Sequence, residues 1–203
     1  GGWFPLLVAA GMFSLMTTWY TGRALVAQSI RRNDIGLQPY VEGVQRSKHP
    51  PVRVPGTAVY LFSTPGLTPP AMVANVRHND VLHAQVVVLA IETALTPRVL
   101  PAKRSRVQHL GEGIHQVILR YGFLEDPDVP RGLAQGDAAK LAINSSTAAY
   151  FLGAESVSRD PNTGMATWRE HLFVFLSRNA TPAAAYFGLP ADRTLTLARA
   201  VTI

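Results

Sequence analysis

The chain opens on an apolar block. From Trp3 to Tyr20 it runs through 18 residues of mostly large apolar side chains, broken only by Ser14, Thr17 and Thr18, and no charge appears before Arg23. At about 1.5 Å per residue this run is roughly 27 Å long, close to the hydrocarbon thickness of a bilayer. Trp3 and Phe4 stand at one end and Trp19 and Tyr20 at the other, the placement that aromatic side chains favour at the two headgroup levels. Pro5 fits a first helical turn, and Ala9, Ala10, Gly11 and Ser14 offer a small-residue surface for another helix. The pattern predicts a transmembrane helix. A buried helix of a soluble protein and a signal peptide are the competing readings. The length, the charge gap and the aromatic ends favour the span. The sequence also lacks a basic leader region and an initiating Met, which points to a piece of a longer protein. Arg23, Arg31 and Arg32 come directly after the run. By the positive-inside rule they put the C-terminal side in the cytoplasm, and they suit anionic lipid headgroups.

Past this block the period changes. The first helix is expected to continue to about residue 32, with Asn33, Asp34 and Gly36 breaking it. Pro39 to Lys48 reads as a short amphipathic helix with Val41 and Val44 on one side, and Pro50-Pro51 marks a boundary. Gly56 to Ser63 has strand length and composition, Pro69-Pro70 starts a helix to about Asn79, and Val86 to Ile91 reads as a central strand covered on both faces. Strand, helix, strand is a βαβ unit. Arg104 to Leu110 and Ile114 to Tyr121 flank Gly111-Glu112-Gly113, a hairpin signal. A helix is expected from Asp126–Pro130 to about Ala142, with Glu125, Asp126 and Asp128 as its N-terminal charge cluster. Ala148 to Leu152 is expected as a short strand and 158–164 as a loop. Residues 164–178 form the clearest amphipathic helix: Met165, Trp168, Leu172, Phe175 and Leu176 recur at helical spacing and are assigned to core packing. A short helix from Thr181 to Phe187 and a strand from Thr194 to about Val201 complete the pattern. The expected architecture is α/β: one N-terminal transmembrane helix continuing into the cytosol, then a mixed domain with a central β-sheet flanked by helices. Its parts are 1–32, the helix and its juxtamembrane extension; 33–51, a linker with a short helix; and 52–203, the α/β domain.

Composition narrows the function classes. With 47% apolar and 16% charged residues and no Cys, the chain is neither disordered nor disulfide-stapled, and it carries no thiol nucleophile. The net charge of +6 divides into +3 from residues 23–48 and +3 from residues 51–203. The excess is concentrated just past the apolar run and is not interleaved with aromatics, so nucleic acid is excluded as a partner. There is no phosphate loop, dinucleotide fingerprint or nucleophile elbow. His78 and His83, five residues apart, do not share a helical face, and no metal or cofactor is expected. Asn144 and Asn179 begin glycosylation triplets that a cytoplasmic location would leave silent. An enzyme is not expected.

Several segments carry a family resemblance in order. They are the apolar run ending Leu15-Met16-Thr17-Thr18-Trp19; Arg53 to Val59; His78-Asn79 with Leu82-His83; Arg120 to Phe123; Tyr150 to Gly153; and Met165 with Trp168-Arg169. Together they resemble the last membrane helix and cytosolic C-terminal domain of the Kup (KUP/HAK/KT) potassium transporters. The resemblance covers nearly the whole chain. It implies a multi-pass parent in the inner (plasma) membrane that takes up K+ together with H+ by symport, with a LeuT-like membrane core whose ion site lies outside this segment. Residues 132–147, small and polar here, depart from the family pattern.

The resemblance implies the membrane core of the same transporter and the lipid bilayer as partners, with the domain regulating or structurally supporting transport. A homodimer and a nucleotide effector are further candidate partners. The alternative is a nucleotide-binding sensor domain or dimerisation module of another membrane protein. A ligand would sit at the carboxyl ends of the strands, near Ser63-Thr64 and Glu92-Thr93, with Arg53, Arg77, Arg104 and Arg120 available to phosphate. The candidate ligand-binding or interface residues are Arg53, Thr57, His78, Asn79, His83, Arg120 and Tyr121; of these, His78, Asn79, His83 and the Arg120-Tyr121 pair suit a hydrogen-bonded network at the core edge or a ligand contact. Leu37, Tyr40, Val41 and Val44 suit either an interface or packing on their own domain.

Overall fold

The computed structural model describes residues 2–31, 35–158, 166–178 and 183–202. The backbone divides into two compact units. One holds residues 1–34, 155–180 and 198–203; the other holds 35–154 and 181–197.

The larger unit carries most of a six-stranded sheet. The strands are β1 (Val52–Leu61), β2 (Val81–Ala94), β3 (Ser105–Gly111), β4 (Ile114–Gly122), β5 (Ala149–Ser158) and β6 (Thr194–Thr202), in the spatial order β3-β4-β2-β1-β5-β6. β1 pairs in parallel with β2 and β5, β2 pairs in parallel with β4, and β3 is antiparallel to β4. The parallel neighbours demand crossovers, and two of these contain helices: α3 (Pro70–Asn79) between β1 and β2, and α4 (Val129–Leu133) between β4 and β5. The antiparallel pair is the expected hairpin, with Gly111, Glu112 and Gly113 all at positive φ.

Period-2 alternation divides the side chains between two cores. Val59, Leu61, Val87, Leu89, Val117, Leu119 and Tyr121 face one side and meet Val129, Leu133, Ala138 and Leu189. Ala58, Tyr60, Val86, Val88 and Ile114 face the other and meet Ala71 and Met72 of α3 and Leu37 and Val41 of α2 (Leu37–Gln45). β2 is thus covered on both faces over residues 86–90, as its unbroken apolar run requires. The apolar face of α2 packs on its own domain, with Tyr40 and Val44 against the same core. β1 starts four residues before the expected point. The pairing register shifts between Val54 and Thr57, and Gly56 at φ +105° absorbs the irregularity.

Two expectations are corrected here. The helix expected to run to Ala142 is broken: α4 ends at Leu133, and a separate 3-10 segment, Gly136–Leu141, comes after it. Gly136 sits at φ +63°, and a side chain there would meet Ser105 Oγ at 2.7 Å, so the chain turns where an α-helix would have continued. The acidic cluster also divides. Asp128 caps α4 by accepting the Arg131 N–H, whereas Glu125 turns away to pair with Arg104.

In the smaller unit α1 (Trp3–Arg31) is a 29-residue helix, as expected in extent. No helix among the described residues is long and apolar enough to cross a membrane. The shortfall in α1 is one of hydropathy, since 29 residues span about 44 Å: Pro5, Gly11, Ser14, Thr17 and Thr18 dilute the apolar run. The second helix of this unit is α5 (Thr167–Arg178). The expected core stripe on α5 is also corrected. Phe173 and Val174 are buried, while Trp168 and Phe175 are 57% and 64% exposed. Residues 159–165, containing Met165 and most of the expected loop, lie outside the described residues, as do Asn33, Asp34, Thr181 and Pro182. The last short helix, α6, spans Ala183–Tyr186.

Candidate functional site

The seven sequence-predicted residues do not form one site; their hydrogen bonds separate them into several groups. At the start of β1, Arg53 donates from Nη1 to the His83 carbonyl at 2.9 Å and from Nη2 to the Glu112 carbonyl at 3.0 Å. Its guanidinium therefore ties β1 to β2 and to the β3–β4 turn, with the Glu112 carboxylate 3.8 Å away. Thr57 donates to Gln85 Oε1 at 2.7 Å, and Gln85 Nε2 donates to the Leu141 carbonyl at 2.9 Å. These bonds stitch the sheet to the 3-10 segment that replaced the expected helix. Among the described residues His83 Nδ1 is buried without a hydrogen-bond partner, and burial lowers the pKa of this imidazole.

At the C-terminus of α3, Asn79 donates to Asn75 Oδ1 at 2.8 Å. Asn75 in turn donates to the Tyr60 hydroxyl at 3.1 Å and to the Val81 carbonyl at 3.0 Å. The Tyr60 phenol, buried and stacked on Phe151, is pushed up to about 12. His78, one residue from Asn79, is exposed. Asn75, absent from the sequence-predicted set, is the residue that joins helix, core and strand. A polar side chain on the inner face of α3 is the signal that could have found it.

Arg120 and Tyr121 point to opposite faces of β4. The Tyr121 hydroxyl donates to the Asp128 carbonyl, and its ring lies 4.7 Å beneath the Arg104 guanidinium. Arg104 is 7% exposed and already fully engaged. It makes a bidentate pair with Glu125 at 2.8 and 2.7 Å and also donates to the Val99 and Arg120 carbonyls. Glu125 further accepts the Gly122 and Val99 N–H groups, and the Arg104 guanidinium above all holds its carboxyl down at about 2. Arg104 is therefore corrected from a free phosphate contact to the centre of a structural knot.

Arg120 lines a groove of about 240 Å³ with Glu92, Arg106 and Ile118, near the carboxyl ends of β2 and β4. Arg120 Nε stands 3.9 Å from the Glu92 carboxylate, and both side chains are about half exposed. Arg77 is exposed at the end of α3, away from any grouping with the other arginines among the described contacts. Among the described residues no group of three or more His, Asp or Glu side chains is arranged to hold a metal ion.

The smaller unit contains an arrangement that sequence reasoning missed. Arg169 of α5 donates from Nε to Thr18 Oγ1 at 3.1 Å and from Nη2 to Thr21 Oγ1 at 3.2 Å. One turn on, Phe173 packs against Trp19 with ring centroids 5.6 Å apart. Gly22 makes room for it: a Cβ there would lie 2.3 Å from the Phe173 ring. Thr18, Thr21 and Gly22 thus form a small-residue seat on α1 for one polar and one aromatic side chain of α5. The spacing of Trp168-Arg169 and Phe173 was visible in the sequence, but the partner of this segment lies about 150 residues upstream.

Residues 55–203 match the family model described as the K+ potassium transporter C-terminal domain. The chain is 42% identical to the probable potassium transport system protein Kup of Myxococcus xanthus, over all of this chain and 31% of that protein. It is 42% identical to Kup 1 of Syntrophobacter fumaroxidans over 97% of this chain and 30% of that protein. It is 39% identical to Kup of Xanthomonas euvesicatoria over all of this chain and 32% of that protein. The chain spans about a third of the length of these relatives. No solved structure matches it.

Proposed function

This chain belongs to the K+ potassium transporter C-terminal domain family, and on that premise we propose that it is the C-terminal third of a potassium-uptake transporter whose domain supports transport structurally. The observation that carries the structural role is the seat on α1. Arg169 and Phe173 clamp α5 to Thr18, Trp19, Thr21 and Gly22 through two hydrogen bonds and one buried ring. Anything that moves α5 moves α1 with it. The ion path belongs to helices upstream of this segment, and α5's part is to hold the last of the helices in place.

α1 takes its place within the membrane part of the same transporter. Its side chains Phe4, Leu7, Met12, Phe13 and Met16 are exposed on several sides of the helix. A helix that packs among others needs less hydropathy than one that crosses lipid alone, because small and hydroxyl side chains serve helix–helix contact. Thr17 and Thr21 fit this: each satisfies its hydroxyl on a carbonyl one turn back. Arg23, beyond the apolar run, supports a cytoplasmic placement of the α/β domain. Uptake coupled to protons, in the inner membrane, is the reading of the parent's chemistry.

A second reading assigns the domain a nucleotide effector. The groove beside Arg106 and Arg120 favours it, because two guanidiniums face one concavity at the strand ends. Glu92 competes for Arg120, so the groove binds an anion only by releasing that ion pair. Titration calorimetry with adenine nucleotides tests this reading, and Arg106→Ala should abolish any heat it produces.

The transporter assignment is tested by growth. The longer protein carrying this chain, expressed in cells stripped of potassium-uptake systems, should restore growth at limiting potassium. Absence of rescue with the protein present in the membrane would overturn the assignment.

A further inference from the structure

We propose that His109 and His115, opposed across the β3–β4 hairpin, form a two-imidazole site for a divalent transition-metal ion of the zinc type, which ties the outermost strand to its neighbour. The site stands apart from the ion path assigned to the upstream helices.

The strand register brings the pair together. His109 of β3 is the direct partner of His115 of β4, so both side chains leave the same face of the sheet. Their rings stand with centroids 4.7 Å apart and planes at 86°. Two imidazoles whose nitrogens each lie about 2.1 Å from one ion have centroids roughly 4.5–5.2 Å apart, for ligand angles from square to tetrahedral. The pair therefore already stands at a separation that one ion can bridge.

Further observations point to a metal rather than to packing alone. Nδ1 of His115 is buried and has no hydrogen-bond partner among the described residues. A buried ring nitrogen in that state calls for a partner, and a metal ion is one that imidazole accepts. Burial and the neighbouring His109 both lower the pKa of His115, which favours the neutral ring that binds metal. Entry is from the edge of the sheet, because β3 is its terminal strand and His109 is exposed. Imidazole nitrogen selects zinc, nickel or copper. Mg2+ and K+ take oxygen ligands, so the K+ of the proposed transport is not the occupant. Among the described residues no third His, Asp or Glu joins the pair. Water then completes the coordination, and the ion exchanges more readily than one in a closed four-ligand site. Its effect is to fix the outer hairpin, whose turn Arg53 joins to β1 through the Glu112 carbonyl.

The test uses zinc alone on the untagged, detergent-solubilised chain after treatment with a chelator. Titration calorimetry should show one zinc site per chain, and excess magnesium should not compete for it. His109→Asn and His115→Asn should each weaken zinc binding by at least about tenfold, the loss that even an outer-shell change produces. His78→Asn, which alters an exposed histidine of α3, should leave the affinity unchanged. Circular dichroism checks that each variant keeps its fold. The unsubstituted chain supplies a second reading that misfolding of a variant does not touch: zinc should slow modification of His109 by diethylpyrocarbonate and leave His78 as reactive as before. Absence of zinc binding by the unsubstituted chain would overturn the proposal. So would binding that survives either hairpin substitution, or zinc that protects His78 and not His109, because the ion would then sit on another histidine.

Discussion

At Gly22 the absence of a side chain has a direct structural consequence. A Cβ would fall 2.3 to 2.5 Å from three ring atoms of Phe173. Gly22→Ala should therefore destabilise the α1–α5 packing by about 1–3 kcal/mol, the range for overpacking a tight contact. The loss should appear as a lower thermal midpoint of the detergent-solubilised chain. Combined with Phe173→Ala it should be less than additive, since the two changes share one contact. Glu125 is the second residue with a defined expectation. Its carboxyl is held at about 2 against an ordinary value of 4.5, chiefly by Arg104. Because the folded value is the lower one, this stabilisation is fully present above pH 4.5 and is lost as pH falls toward 2. Glu125→Gln should cost about 2 kcal/mol at neutral pH, between the values for exposed and buried ion pairs. It should also flatten the acid limb of a urea-unfolding series between those two pH values. None of this was legible locally. Glu125 sits among acidic neighbours at a helix start, where a charge cluster is the natural reading. Its partner is 21 residues away, brought back by the hairpin of β3 and β4.

At the scale of elements, the hydrophobic period recovered the α-helices and strands described in the α/β domain in order, but β1, β2 and β5 are longer than expected, two 3-10 turns were not foreseen and the helix over 126–142 is broken. The misplaced break is instructive. Residues 126–142 carry helix-compatible composition, yet Gly136 adopts φ +63° and leaves room only for hydrogen at its α-carbon beside Ser105. Gly136→Ala should cost about 1–3 kcal/mol in chemical denaturation, from left-handed backbone strain together with the clash. A second test falls on α3. Asn75→Ala removes the donors to the Tyr60 hydroxyl and the Val81 carbonyl, and should cost about 1–3 kcal/mol, the range for a buried group left unsatisfied. The stripe of α5 shows a different limit. Its 3.6-residue period was read correctly, but the period says only that two faces differ. Which face turns inward depends on the partner, and here Gly22 and two threonines of α1 select the face of Arg169 and Phe173.

For the whole molecule, the resemblance seen in scattered motifs is explained by position. Arg53 joins β1, β2 and the β3–β4 turn; Tyr121 braces β4 against Asp128; Arg169 joins α5 to α1. These residues hold elements together, so the candidate site read from sequence is better described as separate structural ties. The sequence could flag the residue types but not their separation, which depends on strand order and on which face of β4 each neighbour occupies. On the proposed reading, α5 seated on α1 acts on transport through the position of that helix. Rubidium uptake in potassium-uptake-deficient cells measures this most directly, comparing the longer protein carrying this chain with a version ending near residue 33 and with Arg169→Ala. At equal amounts in the membrane, the account predicts that the intact protein transports, the truncated form does not, and Arg169→Ala lies between them. Undiminished or faster uptake by the truncated form would contradict it, because the domain would then be dispensable or a brake on transport.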